Sequence, residues 1–132
     1  MRCILLLTVA ITLFGLAGGC SNDRPNDEPI SETSDLQGRL EAAMAVTDIF
    51  GRNDALIKVA EDSAIQGDPN VVRTAIGEIR DPFAKNESAA NAALKLAASG
   101  EVAGATEVAK MITDPARRNS VLSKLAKGEY SE

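Results

Sequence analysis

A self-similarity with a period of 33 residues runs along the chain without gaps, and it limits the possible folds more than any other feature. Aspartates occupy positions 48, 81 and 114. The other columns are Arg52, Lys85 and Arg118; Asn53, Asn86 and Asn119; Val46, Ile79 and Ile112; Ala60, Ala93 and Ala126. A period near 33 is typical of stacked helical hairpins, because each unit buries its apolar face only against a neighbouring unit. The sequence therefore predicts an all-α fold.

Each repeat carries the signals of two helices. In the third, Val108 and Ile112 have helical spacing, and Asp114-Pro115 then supplies an N-cap and a proline at the first helical position. In the second, Asp81-Pro82 supplies the same pair, and Gly100 ends the following helix. We expect six helices in three antiparallel hairpins over residues 35–132. They would form a short alpha-solenoid or, alternatively, a compact helical bundle whose ends cover their own apolar faces.

The composition agrees with closely packed helices. Beyond the first 19 residues the aromatic residues are Phe50, Phe83 and Tyr130. The core must therefore be built from Ala, Leu, Ile and Val. Residues 94–126 resemble the tetratricopeptide-like alpha-solenoid repeats of bacterial proteins, with an Ala- and Leu-rich helix, an Asp-Pro turn followed by Arg, and a second helix ending in Leu-Ala. The resemblance covers about residues 35–128 and implies an architecture, not an activity.

The N-terminus has the features of a secretory signal. Met1-Arg2 provides a positive charge, and a nearly unbroken apolar run follows to Ala17. The run of about 15 residues is shorter than the roughly 20 that a membrane-spanning helix needs. Residues 16–20, Leu-Ala-Gly-Gly-Cys, resemble the lipobox of bacterial lipoproteins, although Ala17 stands where that motif usually has Leu.

The lipobox resemblance implies a processed lipoprotein. Residues 1–19 would be removed, and Cys20 would carry diacylglycerol and further acyl chains such as palmitate. Cleavage by an ordinary signal peptidase, with Cys20 unmodified, is the alternative. Residues 20–34 are expected to be the lipidated cysteine and a disordered tether of roughly 20 Å average reach. Ser21, rather than Asp, after the cysteine implies the periplasmic face of the outer membrane in a Gram-negative envelope.

Two columns of the repeat are candidate sites. Arg52, Lys85 and Arg118 would form a row of cations suited to a carboxylate-bearing or extended peptide. The favoured alternative is that each pairs with its own turn, for example with the aspartate four positions earlier, which would contribute only about 0.3–0.5 kcal/mol. Asn53, Asn86 and Asn119 are expected to bond to the preceding inter-helix turn. A ligand-binding ladder is the alternative.

Composition excludes several functions. The net charge of −5 argues against nucleic acid as a partner, because a basic patch supplies most of such affinity. The chain has no histidine, no phosphate-binding glycine loop and no metal-ligand spacing, so we expect neither catalysis, nor a cofactor, nor a metal. The sequence predicts a membrane-anchored interaction module for an envelope protein or peptide. The alternatives are a small-molecule or lipid carrier with its ligand between helix layers, and a self-associating structural lipoprotein.

Overall fold

The computed structural model describes residues 32–130, and this range contains six α-helices and no strand. The helices are α1 (Glu32–Ala45), α2 (Ile49–Ile65), α3 (Pro69–Glu78), α4 (Pro82–Ala98), α5 (Val102–Lys110) and α6 (Pro115–Lys127). The predicted all-α class is confirmed. The signal peptide, Cys20 and the tether up to Ser31 lie outside the described residues, and residues 32–34 of the predicted tether belong to α1.

The limits of the helices follow from short local motifs. Asp81 and Asp114 are N-caps with proline next in the chain, as predicted, and Asp68 before Pro69 forms a third cap of this kind. Gly67 and Gly100 follow the ends of α2 and α4 with φ of 75° and 99°. This left-handed conformation suits glycine, and it turns the chain sharply into the next helix.

The helices alternate in direction because only short turns connect them. Each helix contacts the next one along the chain, and α1 with α3, α2 with α4, α3 with α5 and α4 with α6 are also in contact. Helices α2, α4 and α6 therefore all begin at one end of the molecule. We call this end, formed by residues 46–50, 79–83 and 111–117, the cap edge. The turns at residues 66–68 and 99–101 form the opposite edge.

The core consists of small and aliphatic side chains. Helices α2 and α4 carry much of it, with Leu56, Ala60, Ala64, Ala89, Ala92, Ala93 and Leu96 fully buried. Small residues let neighbouring helices approach closely. At Gly104 of α5, an added Cβ would lie 2.5 Å from the Cβ of Pro69 in α3, so no larger residue fits there without a shift of the helices.

Helix α1 is joined to α2 by an ion pair as well as by apolar contacts. Arg39 of α1 and Lys58 of α2 both bind the carboxylate of Asp62. The hydrogen bonds from Arg39 and Lys58 lower the pKa of Asp62 below its ordinary value. Within residues 32–130 no helix is both long enough and apolar enough to cross a membrane.

Candidate interaction surface

The cap edge gathers most of the residues that the sequence singles out. The carboxylate of Asp48 accepts a hydrogen bond from the Gly51 N–H at 2.6 Å, and Asp81 accepts one from Ala84 at 2.7 Å. Asp114 does the same with Ala116 at 3.0 Å. These bonds satisfy N–H groups that a helix start leaves without partners. The three aspartates are therefore structural, and their position 33 residues apart aligns the starts of α2, α4 and α6.

The cation column binds the ends of neighbouring helices. Lys85 donates to the carbonyl oxygen of Gly77 at 3.0 Å, and Arg118 makes a long contact of 3.5 Å to the carbonyl oxygen of Ile112. Cations at these positions are attracted by the partial negative charge at the C-terminus of a helix. Arg52 instead pairs with the carboxylate of Glu78, the last residue of α3, at 2.7 Å.

The pairing of each cation with its own turn, which the sequence favoured, holds for one of the three. Arg118 contacts its own turn at Ile112, whereas Arg52 and Lys85 contact the end of α3. Among the described residues, no side-chain pair forms between Arg52, Lys85 or Arg118 and the aspartate four positions earlier. The aspartates face their own backbone N–H groups, so the nearest acceptors for the cations are at the ends of α3 and α5. All three cations are half-buried in these contacts and do not form a free row for a partner.

Two asparagines of the column link their helices to turns later in the chain. The side-chain oxygen of Asn53 accepts from the backbone N–H of Arg80 at 3.2 Å. That of Asn86 accepts from the backbone N–H and the hydroxyl of Thr113, at 2.8 and 3.1 Å. Both bonds span 27 residues. The expected bond to the preceding turn is therefore wrong in direction: each of these two asparagines reaches the turn at the end of the next helix along the chain, against which its own helix packs.

Asn119 is the third member of this column and differs from the other two. It is exposed, whereas Asn53 is buried and Asn86 half-buried. No residue of the range 32–130 forms a hydrogen bond with its side chain. The asparagine column thus provides an internal link at Asn53 and Asn86 and a solvent-facing side chain at Asn119.

Two exposed phenylalanines lie at the cap edge. Phe50 and Phe83 are each the second residue of their helix, α2 and α4, and their relative exposures are 77% and 69%. Because α2 and α4 are parallel neighbours, both rings project from the same edge. Ile49, at 43% exposure, extends this apolar surface beside Phe50. The three residues form what we call the aromatic patch.

A cation lies against one of these rings. The guanidinium carbon of Arg117 is 5.7 Å from the centroid of the Phe83 ring. This distance is within the range of a cation–π interaction, which contributes about 0.5–1 kcal/mol at exposed sites. Arg117 belongs to α6, so the contact joins the starts of α4 and α6. Aromatic residues and arginine are also the types most enriched in protein interfaces.

Reasoning from the sequence missed the aromatic patch, although a signal was present. Phe50 and Phe83 are 33 residues apart and therefore share a column of the repeat. Each stands two positions after a cap aspartate, in the first turn of its helix, and its side chain does not pack into the core. A large apolar residue repeated at such a position indicates a surface with a role beyond packing.

Two clefts lie away from the cap edge. The larger has a volume of about 480 Å³ and lies between α4, α6 and the C-terminal residues. Its wall consists of Asn91, Leu94, Lys95, Lys124, Glu129 and Tyr130, together with Ala98. The smaller, of about 330 Å³, is an apolar groove between α1 and α2. Within the described range, no three His, Cys, Asp or Glu residues are close enough together to hold a metal ion.

No family model, no curated protein and no solved structure matches this chain. The chemistry of its surface must therefore be argued from its own residues.

The asparagine links are testable by comparing one substitution at two positions. Asn86→Ala removes the two bonds to Thr113, whereas Asn119→Ala removes none within the described residues. Both changes raise helix propensity equally. We expect Asn86→Ala to be less stable than Asn119→Ala by about 1–2 kcal/mol. The measurement is the urea midpoint of the dilute, solubilised chain. Equal midpoints would show that the link contributes nothing.

Proposed function

We propose that this chain is the precursor of a membrane-anchored lipoprotein whose helical domain binds another envelope protein through the aromatic patch. Export and lipidation at Cys20 rest on the N-terminal sequence, which lies outside the described residues. The binding role rests on the cap edge. The observation that carries it is the exposure of Phe50 and Phe83 at the same edge in a chain with few aromatic residues.

The domain architecture in this proposal is three stacked antiparallel hairpins, α1–α2, α3–α4 and α5–α6. Contacts between helices two places apart support it, since stacking places α1, α3 and α5 in one layer and α2, α4 and α6 in another. The asparagine bonds support it too, because the same bond recurs with the same 27-residue span between successive hairpins. Stacking explains why surface residues one repeat apart become neighbours.

The proposed partner is a peptide or protein segment with apolar side chains. The aromatic rings of the patch offer a large contact area at a small cost in side-chain entropy, and Arg117 beside Phe83 adds a donor for a carboxylate or a backbone carbonyl. The cations 52, 85 and 118 have a different role in this proposal. They hold the ends of α3 and α5 and so fix the edge from which the rings project.

The position of the chain's entry point supports an accessible patch. Helix α1 runs toward the cap edge, so its first residue, Glu32, lies at the opposite edge. At 1.5 Å per residue the 14-residue helix separates the two edges by about 20 Å. A tether that enters at the opposite edge leaves the aromatic patch uncovered, so a partner can reach it.

A small-molecule carrier is the second candidate function, and the 480 Å³ cleft beside Tyr130 favours it. This cleft lies between α4 and α6, within one proposed layer, and not between layers as the sequence suggests for a carrier. A ligand retained equally by the parent chain and by patch variants, without a protein partner, would favour this function over the interaction module.

The anchor is tested by one substitution. Cys20→Ala removes the thiol that would carry the lipid, so we expect the variant to lose incorporation of labelled palmitate and to leave the membrane fraction. The measurement is sedimentation of membranes from cells that express full-length parent or variant. Cys3→Ala, which changes a residue of the predicted signal, is the matched control and should sediment like the parent. If Cys20→Ala also sediments like the parent, the anchor assignment is wrong.

The binding surface is tested by removing both rings. Phe50→Ala with Phe83→Ala should reduce recovery of a cross-linked partner from membranes at least severalfold, while the helical content stays unchanged because both side chains are exposed. Ile65→Ala is the matched control, since Ile65 is 62% exposed at the opposite edge. The readout is the ratio of partner to bait after cross-linking. Equal loss in the control, or none in the double variant, contradicts a role for the patch.

A further inference from the structure

We propose that copies of this chain associate head to tail, with α6 of one copy packed into the groove between α1 and α2 of the next. The inference rests on the stacked-hairpin part of the proposed function and is independent of the aromatic patch. It follows from comparing each end of the molecule with the equivalent, internal positions one repeat away.

The α6 end exposes positions that are covered elsewhere in the molecule. Leu56 and Ala60 of α2 are fully buried, as are Ala89 and Ala93 of α4. Their equivalents in α6, Leu122 and Ala126, are half-buried and exposed. Ala126 is thus exposed although its repeat column, Ala60 and Ala93, is buried in α2 and α4. The difference arises because α2 and α4 are each covered by a following hairpin, and no described residue covers α6 in that way.

At the α1–α2 end, within residues 32–130, an apolar groove lacks the helix that fills its equivalent inside the molecule. The 330 Å³ groove is lined by Ala42, Ala43, Val46, Ala55 and Val59, besides Arg39 and Lys58. One repeat later, the apolar-groove positions correspond to Ala75, Ile76, Ile79, Ser88 and Ala92, all of which are buried. Ala43 and Val59 of the groove are buried as well, so the difference lies at Ala42, Val46 and Ala55, which are exposed or half-buried. Helix α2 contacts both α3 and α4 there. Inside the molecule, α2 fills the equivalent groove between α3 and α4. The helix that corresponds to α2 at the α1–α2 groove is α6 of another copy.

The two ends also hold the two halves of an asparagine link. Asn53 and Asn86 accept from the backbone N–H groups at positions 80 and 113. The equivalent donor in the first repeat is Thr47, which is exposed and has no hydrogen-bond partner among residues 32–130. Asn119 is the acceptor that lacks a donor. Thr47 also has a hydroxyl, like Thr113, so an Asn119–Thr47 contact between copies reproduces the Asn86–Thr113 link.

The charges of the two terminal helices are complementary. Helix α6 contains four cations and no acidic residue. Helix α1 contains three acidic residues and a single cation, Arg39, which is bound to Asp62. Lys58, the other cation that lines the groove, is bound to the same carboxylate. Lys124, Lys127, Asp35 and Glu41 are exposed. Contact of unlike ends is therefore favoured electrostatically, whereas contact of two α6 ends or of two α1 ends is not.

The contact is of the heterologous kind, because different surfaces of two identical chains meet. Such a contact leaves one free end of each type, so it produces chains of copies unless the rotation closes a ring. The cap edge continues from copy to copy in this arrangement. Each added copy extends the aromatic patch and presents several equivalent sites to one partner, which raises avidity without any new type of contact.

The test joins the two ends by chemical cross-linking. Full-length Thr47→Cys and Asn119→Cys variants, each with a different epitope tag, are expressed together and treated in membranes with a short bis-maleimide. The reach of the reagent is set with Asn86→Cys plus Thr113→Cys, whose thiols are joined within one chain. Ile65→Cys, mixed with Asn119→Cys, is the matched control. Each chain carries one introduced cysteine and one tag, so a doubly tagged product contains two chains.

We expect a doubly tagged product from the Thr47 and Asn119 mixture that exceeds the Ile65 control severalfold. Placing both cysteines on one chain should give a ladder of products. Changing Lys124 and Lys127 to Glu should reduce the product. Equal yields in the test mixture and the control overturn the association. Failure of the Asn86–Thr113 pair to join, in a chain that keeps its helical content, would overturn the stacking on which it rests. Loss of partner recovery in the patch variants is a separate readout.

Discussion

A turn between two helices leaves backbone N–H groups that neither helix can satisfy, and the arrangement of this molecule depends on how two of them are satisfied. The N–H groups of Arg80 and Thr113 donate to asparagines 27 residues earlier in the chain. Each bond fixes the position of the first turns of one helix, α2 or α4, along its axis relative to the turn that precedes α4 or α6. The starts of α2, α4 and α6 therefore lie at one edge, where the cap aspartates and the cations of the repeat also meet.

The same alignment produces the surface on which the functional proposal rests. A core of alanine and small aliphatic residues lets the helices approach closely, so side chains at equivalent positions of α2 and α4 become near neighbours. Phe50 and Phe83 contribute little to that core and remain exposed. An apolar surface of this kind is disfavoured in water unless a partner covers it.

The helices were predictable because their signals are local. Proline after Asp81 and Asp114, and glycine at position 100, mark limits that the structure reproduces. The contacts between repeats were not predictable from spacing alone. Arg52 reaches Glu78 and Asn53 reaches Arg80 because of how α2 packs against α3, which no pattern within one helix specifies. The exposed Phe50 and Phe83 were also missed, since their apolar character suggests the core until the helix register is known.

Asparagine bonds hold the turns before α4 and α6 against α2 and α4, and amide hydrogen exchange tests this most directly. The measurement is the exchange rate of the Arg80, Thr113 and Thr47 backbone N–H groups in the dilute, solubilised chain. The account predicts slow exchange at Arg80 and Thr113, which donate to asparagine, and fast exchange at Thr47, which has no partner within the described part of the chain. Exchange at Arg80 and Thr113 as fast as at Thr47 would contradict it.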